Sequence, residues 1–262
     1  MARFSPLFSG SSGNCTYIGG AESGILVDAG VSAKRICEAL AERSIAPEKI
    51  KAVFVTHEHS DHIKGLAVLV KKYGMPIVAS EQTLSAVMRA TELPSGARLI
   101  EIDKNGMEID GIAVNRFATS HDCEGSSGYC FGLPHGQKFS VCTDLGIVTD
   151  EVRNAIRGSD LTLIESNHDL KMLKNGPYPP LLKMRIMSDC GHLSNIACAA
   201  ELGELLESGT TRFILGHISQ HNNLPELALT VSRDALCAVG AKENEDYILK
   251  AAPAQGGEII TV

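Results

Sequence analysis

The segment from Val53 to Leu66, VFVTHEHSDHIKGL, constrains the fold more than any other part of the chain. An apolar run of strand character leads into this segment, and an amphipathic run with helical spacing follows it. Between the two, three histidines, a glutamate and an aspartate occupy the six positions from His57 to His62. The chain must therefore fold so that a strand delivers a dense set of potential metal ligands to the start of a helix.

The spacing within this cluster predicts a metal site. His57 and His59 are two residues apart, so in an extended segment their imidazoles point the same way and can share one ion. Asp61 and His62 lie on the turn into the following helix, from which they can reach a second ion. A polar loop that is merely rich in histidine is the alternative interpretation, and the density of ligand types argues against it.

Two coordination spheres need more ligands than the cluster provides, and further candidates stand at the ends of other predicted strands. His121 ends RFATSH, Asp144 follows FSVCT, and His217 ends RFILGH. Each alone is more typical of a surface or capping residue, but together with the cluster they are predicted ligands of the same site. Asp28, which ends GILVD, is interpreted as a hydrogen-bond acceptor that orients the histidine loop.

The length and the order of elements predict one domain over residues 1–262. The chain has 44% hydrophobic residues and shows no linker or repeat, and its longest apolar runs are too short to cross a bilayer. Strands and helices are mixed, with hairpin turns in the middle, which favours sheets covered by helices. Strands are predicted at CTYIG, GILVDAG, AVFVT, PIVAS, GIAVNRFA, SGYCFGL, FSVCTD, DLTLIES and TRFILGH, and helices at Ala33–Arg43, after the histidine cluster, at EQTLSAVMRA, at Asn195–Glu207 and at Pro225–Val239.

The charge distribution bears on the substrate. A net charge of −7 argues against a protein that coats nucleic acid through a general basic surface. One stretch, here called the basic segment (Leu170–Met187), carries Lys171, Lys174, Lys183 and Arg185 and no acidic residue. It is interpreted either as a local holder of phosphate groups or as an ordinary solvated helix–turn–helix surface.

The cysteines bear on the cellular compartment. Eight cysteines are scattered along the chain without any C-x-x-C pair, and a chain of this size does not need disulfides to fold. They are interpreted as reduced thiols, which predicts a cytoplasmic protein with no membrane partner.

The THEHSDH motif together with the three later strand-end residues resembles the metallo-β-lactamase superfamily. The resemblance implies an α/β fold, the αββα sandwich of two mixed β-sheets flanked by helices, with two metal ions along one edge. Carried over position by position, it implies a first ion held by His57, His59 and His121, a second held by Asp61, His62 and His217, and Asp144 as the bridge between them.

Other motifs narrow the resemblance. Redox relatives have glutamate where this chain has His59, so His59 favours hydrolysis over redox chemistry. The lactamases usually have cysteine where this chain has Asp144, so Asp144 favours a substrate other than a β-lactam. Four further stretches are similar to the bacterial WalJ/YycJ branch. They are LFSGSSGNC, HDCEGSSGY, the stretch that runs from ESNHD to GHLSN, and GHISQHNNLPELA. That similarity implies a phosphodiesterase that acts on DNA as an exonuclease, with a preference for 5′ ends.

A dinuclear phosphodiesterase assigns roles to residues at the centre. Two divalent ions, for which zinc, manganese and iron are all suitable, would clamp the phosphodiester and acidify a water. Asp61 and Asp144 would orient that water or accept its proton. The leaving oxygen also needs a proton donor, and His192 in GHLSN is of the right type.

Further residues are candidates for binding the substrate. His168, in ESNHD, and the predicted helix start at Ser194 and Asn195 would hold the remaining phosphate oxygens. For Ser194 the alternative is a helix cap alone, and for His168 a loop histidine with ordinary partners. Lys183 and Arg185 would hold the nucleic acid strand.

Two other classes of function stay open from the sequence. One is a hydrolase of small esters, thioesters, lactones or cyclic phosphodiesters on the same metals, and the other is a metal-bound module without turnover. The intact ligand set argues against the second. The sequence leaves the physiological metal, the oligomeric state and the polarity of cleavage open.

Overall fold

The computed structural model describes residues 1–262. Its strands form two sheets of seven strands each. In chain order the strands are β1 (Arg3–Phe8), β2 (Cys15–Gly19), β3 (Gly24–Val27), β4 (Ile50–Phe54), β5 (Ile77–Ala79), β6 (Leu99–Glu101), β7 (Met107–Ile109), β8 (Ile112–Ala118), β9 (Ser127–Gly132), β10 (Lys138–Cys142), β11 (Leu161–Glu165), β12 (Arg212–Gly216), β13 (Ile248–Ala251) and β14 (Ile260–Thr261).

Nine helices accompany the strands. They are α1 (Ala33–Glu42), α2 (Ser60–Ile63), α3 (Leu66–Tyr73), α4 (Glu81–Ala90), α5 (Asp150–Ile156), α6 (Leu170–Asn175), α7 (Pro180–Ile186), α8 (Asn195–Glu207) and α9 (Pro225–Ala238). None of the helices combines the length and the apolar character that crossing a membrane requires.

Both sheets mix antiparallel and parallel pairs. The first sheet has the strand order β14-β1-β2-β3-β4-β5-β6, and the second has the order β13-β12-β11-β10-β9-β8-β7. Strands β3 to β6 are parallel neighbours, as are β10 to β13, while the remaining pairs are antiparallel.

Three apolar clusters mark the interfaces between the layers. A cluster of 20 buried residues takes side chains from both sheets and lies between them. There Phe54 packs edge-on against Tyr129 and Phe131, with ring centroids 5.5 and 5.8 Å apart. A cluster of 24 residues joins the first sheet to α1, α3 and α4, and one of 19 joins the second sheet to α5, α8 and α9. This layering confirms the predicted αββα sandwich.

Most predicted elements are present, and one differs in detail. The amphipathic run after the histidine cluster forms two helices, α2 and α3, that meet at Gly65. The Gly65 N–H donates to the carbonyl of Ala29 rather than to one within the helix, and a Cβ at this position would lie 2.3 Å from the carbonyl oxygen of Val31. The close approach of the β3–α1 loop therefore breaks the helix. Strands β1, β6, β7, β13 and β14 and helix α5 are additional to the predicted set.

The parallel strands end at a common edge, and the predicted ligands follow them there. His57 and His59 follow β4, Asp144 follows β10, and His217 follows β12. Because parallel strands in one sheet have their carboxyl ends on the same side, residues that follow them lie close together. The candidate functional site is therefore the edge of the two sheets at which these strand ends lie.

Candidate metal centre

The first group of ligand side chains consists of His57, His59 and His121. The Nε2 atom of His57 lies 3.0 Å from the Nδ1 atom of His59. The ring of His121 lies 5.0 Å from the ring of His57 and 5.2 Å from that of His59. The His121 Nε2 atom is buried and has no hydrogen-bond partner. Three imidazoles therefore face one point, as an ion with nitrogen ligands requires.

The second group consists of Asp61, His62 and His217. The Oδ2 atom of Asp61 lies 3.6 Å from Nε2 of His62 and 3.7 Å from Nε2 of His217. The His217 Nε2 atom is also buried without a hydrogen-bond partner. One carboxylate and two imidazoles thus converge on a second point beside the first.

Asp144 lies between the two groups. Its Oδ2 atom is 3.5 Å from Nε2 of His62, and its Oδ1 atom is 4.0 Å from Nε2 of His121. The Oδ2 atom is buried and has no hydrogen-bond donor. A buried carboxylate oxygen without a donor, close to the unpartnered Nε2 atoms of His121 and His217, is costly unless a cation compensates it. The donor set therefore fits two divalent ions with Asp144 facing both.

Hydrogen bonds on the far side of His57, His62 and His121 fix which nitrogen of each ring faces the centre. His62 Nδ1 lies 2.8 Å from Oδ2 of Asp28, and His57 Nδ1 lies 3.0 Å from the Thr56 hydroxyl, which itself donates to Asp28. His121 Nδ1 lies 3.1 Å from the carbonyl oxygen of Gly191. In each case Nδ1 faces an oxygen outside the centre and Nε2 faces inward, which is how histidine ligands are usually oriented. The Nε2 atom of His62 also lies 3.1 Å from Nδ2 of Asn14.

Glu165 is a functional residue that the sequence reasoning missed. It is fully buried at the end of β11. Its Oε1 atom accepts from Nδ1 of His217 at 2.7 Å and from Nδ1 of His192 at 2.9 Å, and its Oε2 atom accepts from the backbone N–H of Leu145 and of Leu193. The rule that singled out the other strand-end residues applies to Glu165 equally and would have found it.

Three of the strand-end residues adopt left-handed backbone conformations. Asp28, Asp144 and His217 have φ angles of 62°, 60° and 52°. Such angles are uncommon for residues with side chains, and they cluster at functional sites where the surrounding structure enforces them. The backbone turns sharply just after each strand and directs the side chain across the edge of the sheet.

The electrostatics of the centre favour ionised carboxylates. Burial alone would raise the pKa of Asp61, but the imidazoles of His217 and His62 outweigh burial and hold that pKa well below its usual range. Burial lowers the pKa of His62, but the carboxylates of Asp144 and Asp28 outweigh it and raise the pKa to about 9. His57, which is buried among other imidazoles, has a pKa well below its ordinary value. The Asp61 carboxylate is therefore ionised at the centre, as a metal ligand must be.

His192 and His168 lie on the same side of the centre. The ring of His192 is 5.1 Å from that of His121 and 5.2 Å from that of His217, and its side chain is 18% exposed. Its Nδ1 atom is held by Glu165, so Nε2 is left for the open side. His168 is only 1% exposed, both its ring nitrogens are without hydrogen-bond partners, and burial lowers its pKa to about 4.

The start of α8 differs from the prediction of an anion site. The Ser194 hydroxyl accepts from the backbone N–H of Ala197 and so acts as the helix cap. The Asn195 side chain is buried in a network with Ser166 and Asn223, and its backbone N–H donates to the carbonyl of His168. These groups are already engaged within the protein, which argues against the predicted phosphate-binding role for Ser194 and Asn195.

The basic segment forms α6, a proline-rich turn and α7. The Lys183 ammonium donates to the backbone carbonyl of Lys174 at 2.8 Å and so caps the end of α6. Arg185 forms an ion pair with Asp122, with its Nη2 atom 2.9 Å from Oδ1. Asp122 follows His121 in the chain, so Arg185 lies beside the metal centre but carries a partner already.

Cys123 is the second residue that the sequence reasoning missed. Its sulfur and one ring nitrogen of each of His57, His59 and His121 all lie within 4.8 Å of one another. Burial, with a smaller contribution from Glu58, raises the pKa of this thiol to about 12. Cys123 was grouped with the other thiols as a reduced cysteine, because no spacing rule relates it to the histidine cluster.

Comparison with known proteins gives matches over most of the chain. A family model described as a beta-lactamase superfamily domain matches residues 24–218, a range that contains all seven predicted ligands. Exodeoxyribonuclease WalJ of Streptococcus pneumoniae is 40% identical over 230 residues, which are 86% of this chain and 85% of that protein. Exodeoxyribonuclease YycJ of Bacillus anthracis is 38% identical over 227 residues, or 86% of each chain.

A solved structure with a similar fold is the metallo-beta-lactamase fold protein YhfI from Bacillus subtilis. It superposes with a TM-score of 0.73 over 99% of this chain and 98% of that one. The sequence identity is 14%, so the likeness concerns the fold alone.

Proposed function

The chain belongs to the beta-lactamase superfamily and, within it, to the family of the WalJ and YycJ exodeoxyribonucleases, and from this premise we propose that it is a metal-dependent DNA exonuclease. The observation that carries the proposal is the convergence of unpaired, buried ligand atoms from His121, Asp144 and His217 at the shared edge of the sheets. A hydrolytic centre of this kind is suited to phosphodiesters, the exodeoxyribonuclease relatives favour DNA as the substrate, and the preference for 5′ ends is part of the proposal.

The cofactor in this proposal is a pair of divalent ions, with zinc, manganese and iron as the candidates. The first ion would be held by His57, His59 and His121, the second by Asp61, His62 and His217, and Asp144 would contact both. When bound, the two ions supply positive charge at the scissile phosphate and a water acidic enough to attack it near neutral pH.

The chain's own residues would complete the reaction. Asp61 is the more exposed of the two central carboxylates, with 25% of its side chain accessible, so it can orient the attacking water and accept its proton. Asp144 is nearly inaccessible and serves to hold the centre together. These assignments follow from exposure, since a group that meets the water must face the open side.

His192 is the proposed donor of a proton to the leaving oxygen. Glu165 holds its Nδ1 atom, which fixes the orientation of the ring. The open Nε2 atom lies on the side of the centre that faces solvent. His168, which is buried with both nitrogens unpartnered, is the proposed contact for a non-bridging phosphate oxygen, through one N–H of its neutral ring.

The basic segment is the proposed contact for the DNA strand. Lys171 and Lys174 are exposed, and Arg185 lies next to the centre through its pair with Asp122. Lysine and arginine side chains that contact phosphates release counterions, so binding should weaken as salt is raised. Arg185 would have to share its guanidinium between Asp122 and a phosphate.

We also propose a cytoplasmic location. All eight cysteines are free thiols, and four of them are fully buried in the fold. Free thiols persist in reducing compartments.

The test is a substrate panel with protein reconstituted in turn with zinc, manganese and iron(II). We expect progressive shortening of linear DNA labelled at one end, and no cleavage of the same sequence as a closed circle. A 5′ label should be released before a 3′ label. If linear DNA stays intact with all three metals while a small ester or lactone is cleaved, the small-molecule hydrolase replaces the nuclease.

A further inference from the structure

A sulfur atom, that of Cys123, lies beside the first group of ligands, and neither the proposed metal centre nor the proposed reaction uses it. Cys123 lies two residues after His121, on the loop that leaves β8. Its Sγ atom and the three imidazole nitrogens of this group lie within 4.8 Å of one another. It has no disulfide partner. Bond lengths near 2.0–2.3 Å place two tetrahedral ligands of one ion about 3.5 Å apart, so the sulfur would have to move toward the three nitrogens when an ion binds.

An independent observation points to an ion at the same place. The His121 side chain is 1% exposed, and its Nε2 atom has no hydrogen-bond partner. His57 Nε2 and His59 Nδ1 approach to 3.0 Å. The buried, unpartnered Nε2 atom of His121 beside this pair is costly unless a cation compensates it, and Cys123 borders the same space.

The two groups of ligands then differ in chemical character. With Cys123, the first group offers three imidazole nitrogens and one thiolate sulfur, together with the carboxylate of Asp144 that it shares with the second group. The second group offers the nitrogens of His62 and His217 and the oxygens of Asp61 and Asp144. Thiolate ligands favour zinc and other soft divalent ions, whereas carboxylates suit manganese and magnesium as well.

We propose that Cys123 is a side-chain ligand of the first metal position, in addition to the three histidines and the shared Asp144, and that it makes this position selective for zinc over manganese. On binding, the thiol loses its proton to solvent and the sulfur forms the bond to the ion. The second position keeps a mixed nitrogen and oxygen set and accepts either metal. The inference rests on the two-ion centre of the proposed function but not on the identity of the substrate.

Cobalt(II) provides a direct test, because a thiolate ligand gives it an intense near-ultraviolet charge-transfer band that nitrogen and oxygen ligands do not. Metal-free protein would be titrated with cobalt(II), as wild type, Cys123→Ala and Cys237→Ala. Cys237 is an exposed thiol on α9 and serves as the matched control. We expect the band in wild type and in Cys237→Ala, and its loss in Cys123→Ala.

Zinc affinity is the second readout. In competition with a chromophoric chelator, Cys123→Ala should bind its tighter zinc ion at least about tenfold more weakly than wild type, while manganese affinity changes less than about threefold. Circular dichroism of the metal-free variants should match wild type. A wild-type protein without the band, or a Cys123→Ala variant that keeps both the band and the zinc affinity, would overturn the proposal.

These measurements use no substrate, so they separate this inference from the proposed nuclease activity. A wild-type protein that shows the cobalt band but does not cleave DNA would count against the proposed function alone. Retained DNA cleavage with no cobalt band would count against the role of Cys123 alone.

Discussion

The metal centre and the basic segment are both made of charged and polar side chains, but the fold treats them differently. At the metal centre, side chains from strand ends far apart in sequence are buried together, and several of their atoms are left without partners. In the basic segment, Lys183 is turned onto a carbonyl of α6 and Arg185 is paired with Asp122. The centre therefore keeps buried polar atoms that only a bound ligand can pair. In the segment, Lys183 and Arg185 already have partners within the protein.

The difference teaches which polar residues report on chemistry. Unpaired polar atoms in a buried place are costly, so they persist where a ligand compensates the cost. Exposed charges cost little and are screened by water and salt, so their presence carries less information. Variants in the centre should accordingly have large effects and variants in the segment small ones.

The largest effect is expected from Asp144→Asn. This change removes the negative charge that faces both groups of imidazoles, so metal content should fall below two per chain and the rate of DNA cleavage should fall roughly a thousandfold or more. Elemental analysis and an end-labelled DNA assay measure the two quantities. A variant that retains both would remove the basis for treating Asp144 as the shared ligand.

His192→Ala should lower the cleavage rate by about a hundredfold to ten-thousandfold, the range expected for a general acid. Its metal content should match wild type, because Glu165 still holds His217. Substrates with a better leaving group, such as bis(4-nitrophenyl) phosphate, need less proton donation and should lose less rate. An equal loss on both substrates would show that His192 does not act as the proton donor.

Glu165→Gln tests the residue that orients the centre without facing the substrate. The amide keeps the size of the side chain but removes the charge that holds Nδ1–H of His217 and His192. We expect metal affinity or activity to fall about tenfold to a hundredfold, as for other partners of metal-bound histidines. Chelator competition and the DNA assay provide the measurement. Unchanged values in both would mean that the Glu165 contacts are only structural.

A smaller effect is expected from Lys183→Ala/Arg185→Ala. DNA affinity should fall by about tenfold or less, and the slope of log affinity against log salt should become shallower by about one to two. Lys171→Ala/Lys174→Ala on the exposed side of α6 tests the other half of the basic segment in the same assay. If neither pair changes affinity or slope, the basic segment is an ordinary solvated surface.

The smallest effect concerns stability and pH at His168. Because burial lowers its pKa in the folded protein to about 4, the unfolded chain binds a proton at higher pH than the folded one does. The folded form is therefore favoured above the ordinary histidine pKa and loses stability as pH falls toward 4. In metal-free protein, His168→Gln should weaken this pH dependence between about pH 7.5 and pH 5 by on the order of 1 kcal/mol. Urea unfolding measures it, and parallel wild-type and variant curves would contradict it.

Local sequence determined most of the metal centre. In VFVTHEHSDHIKGL, strand periodicity and the turn into a helix place four ligand side chains within six residues, and this requires no knowledge of distant contacts. His121, Asp144 and His217 are predicted because each stands at the end of a predicted strand. In the structure β8, β10 and β12 run in the same direction, so their carboxyl ends share an edge. The αββα layering followed from the resemblance, and the alternation of apolar residues in the strands agrees with it.

The tertiary structure alone decided which polar groups are engaged and which are left free. Glu165 reaches His217 across 52 residues, and Arg185 reaches Asp122 across 63. Cys123 follows a strand of the second sheet, and it becomes a possible ligand only because His57 and His59, which follow a strand of the first sheet, lie next to it. Such pairings depend on the packing of distant segments, and no local spacing encodes them. The sequence by itself therefore identifies the side chains that can bind a metal. The packing of the two sheets decides which atoms of those side chains are without hydrogen-bond partners in the folded chain.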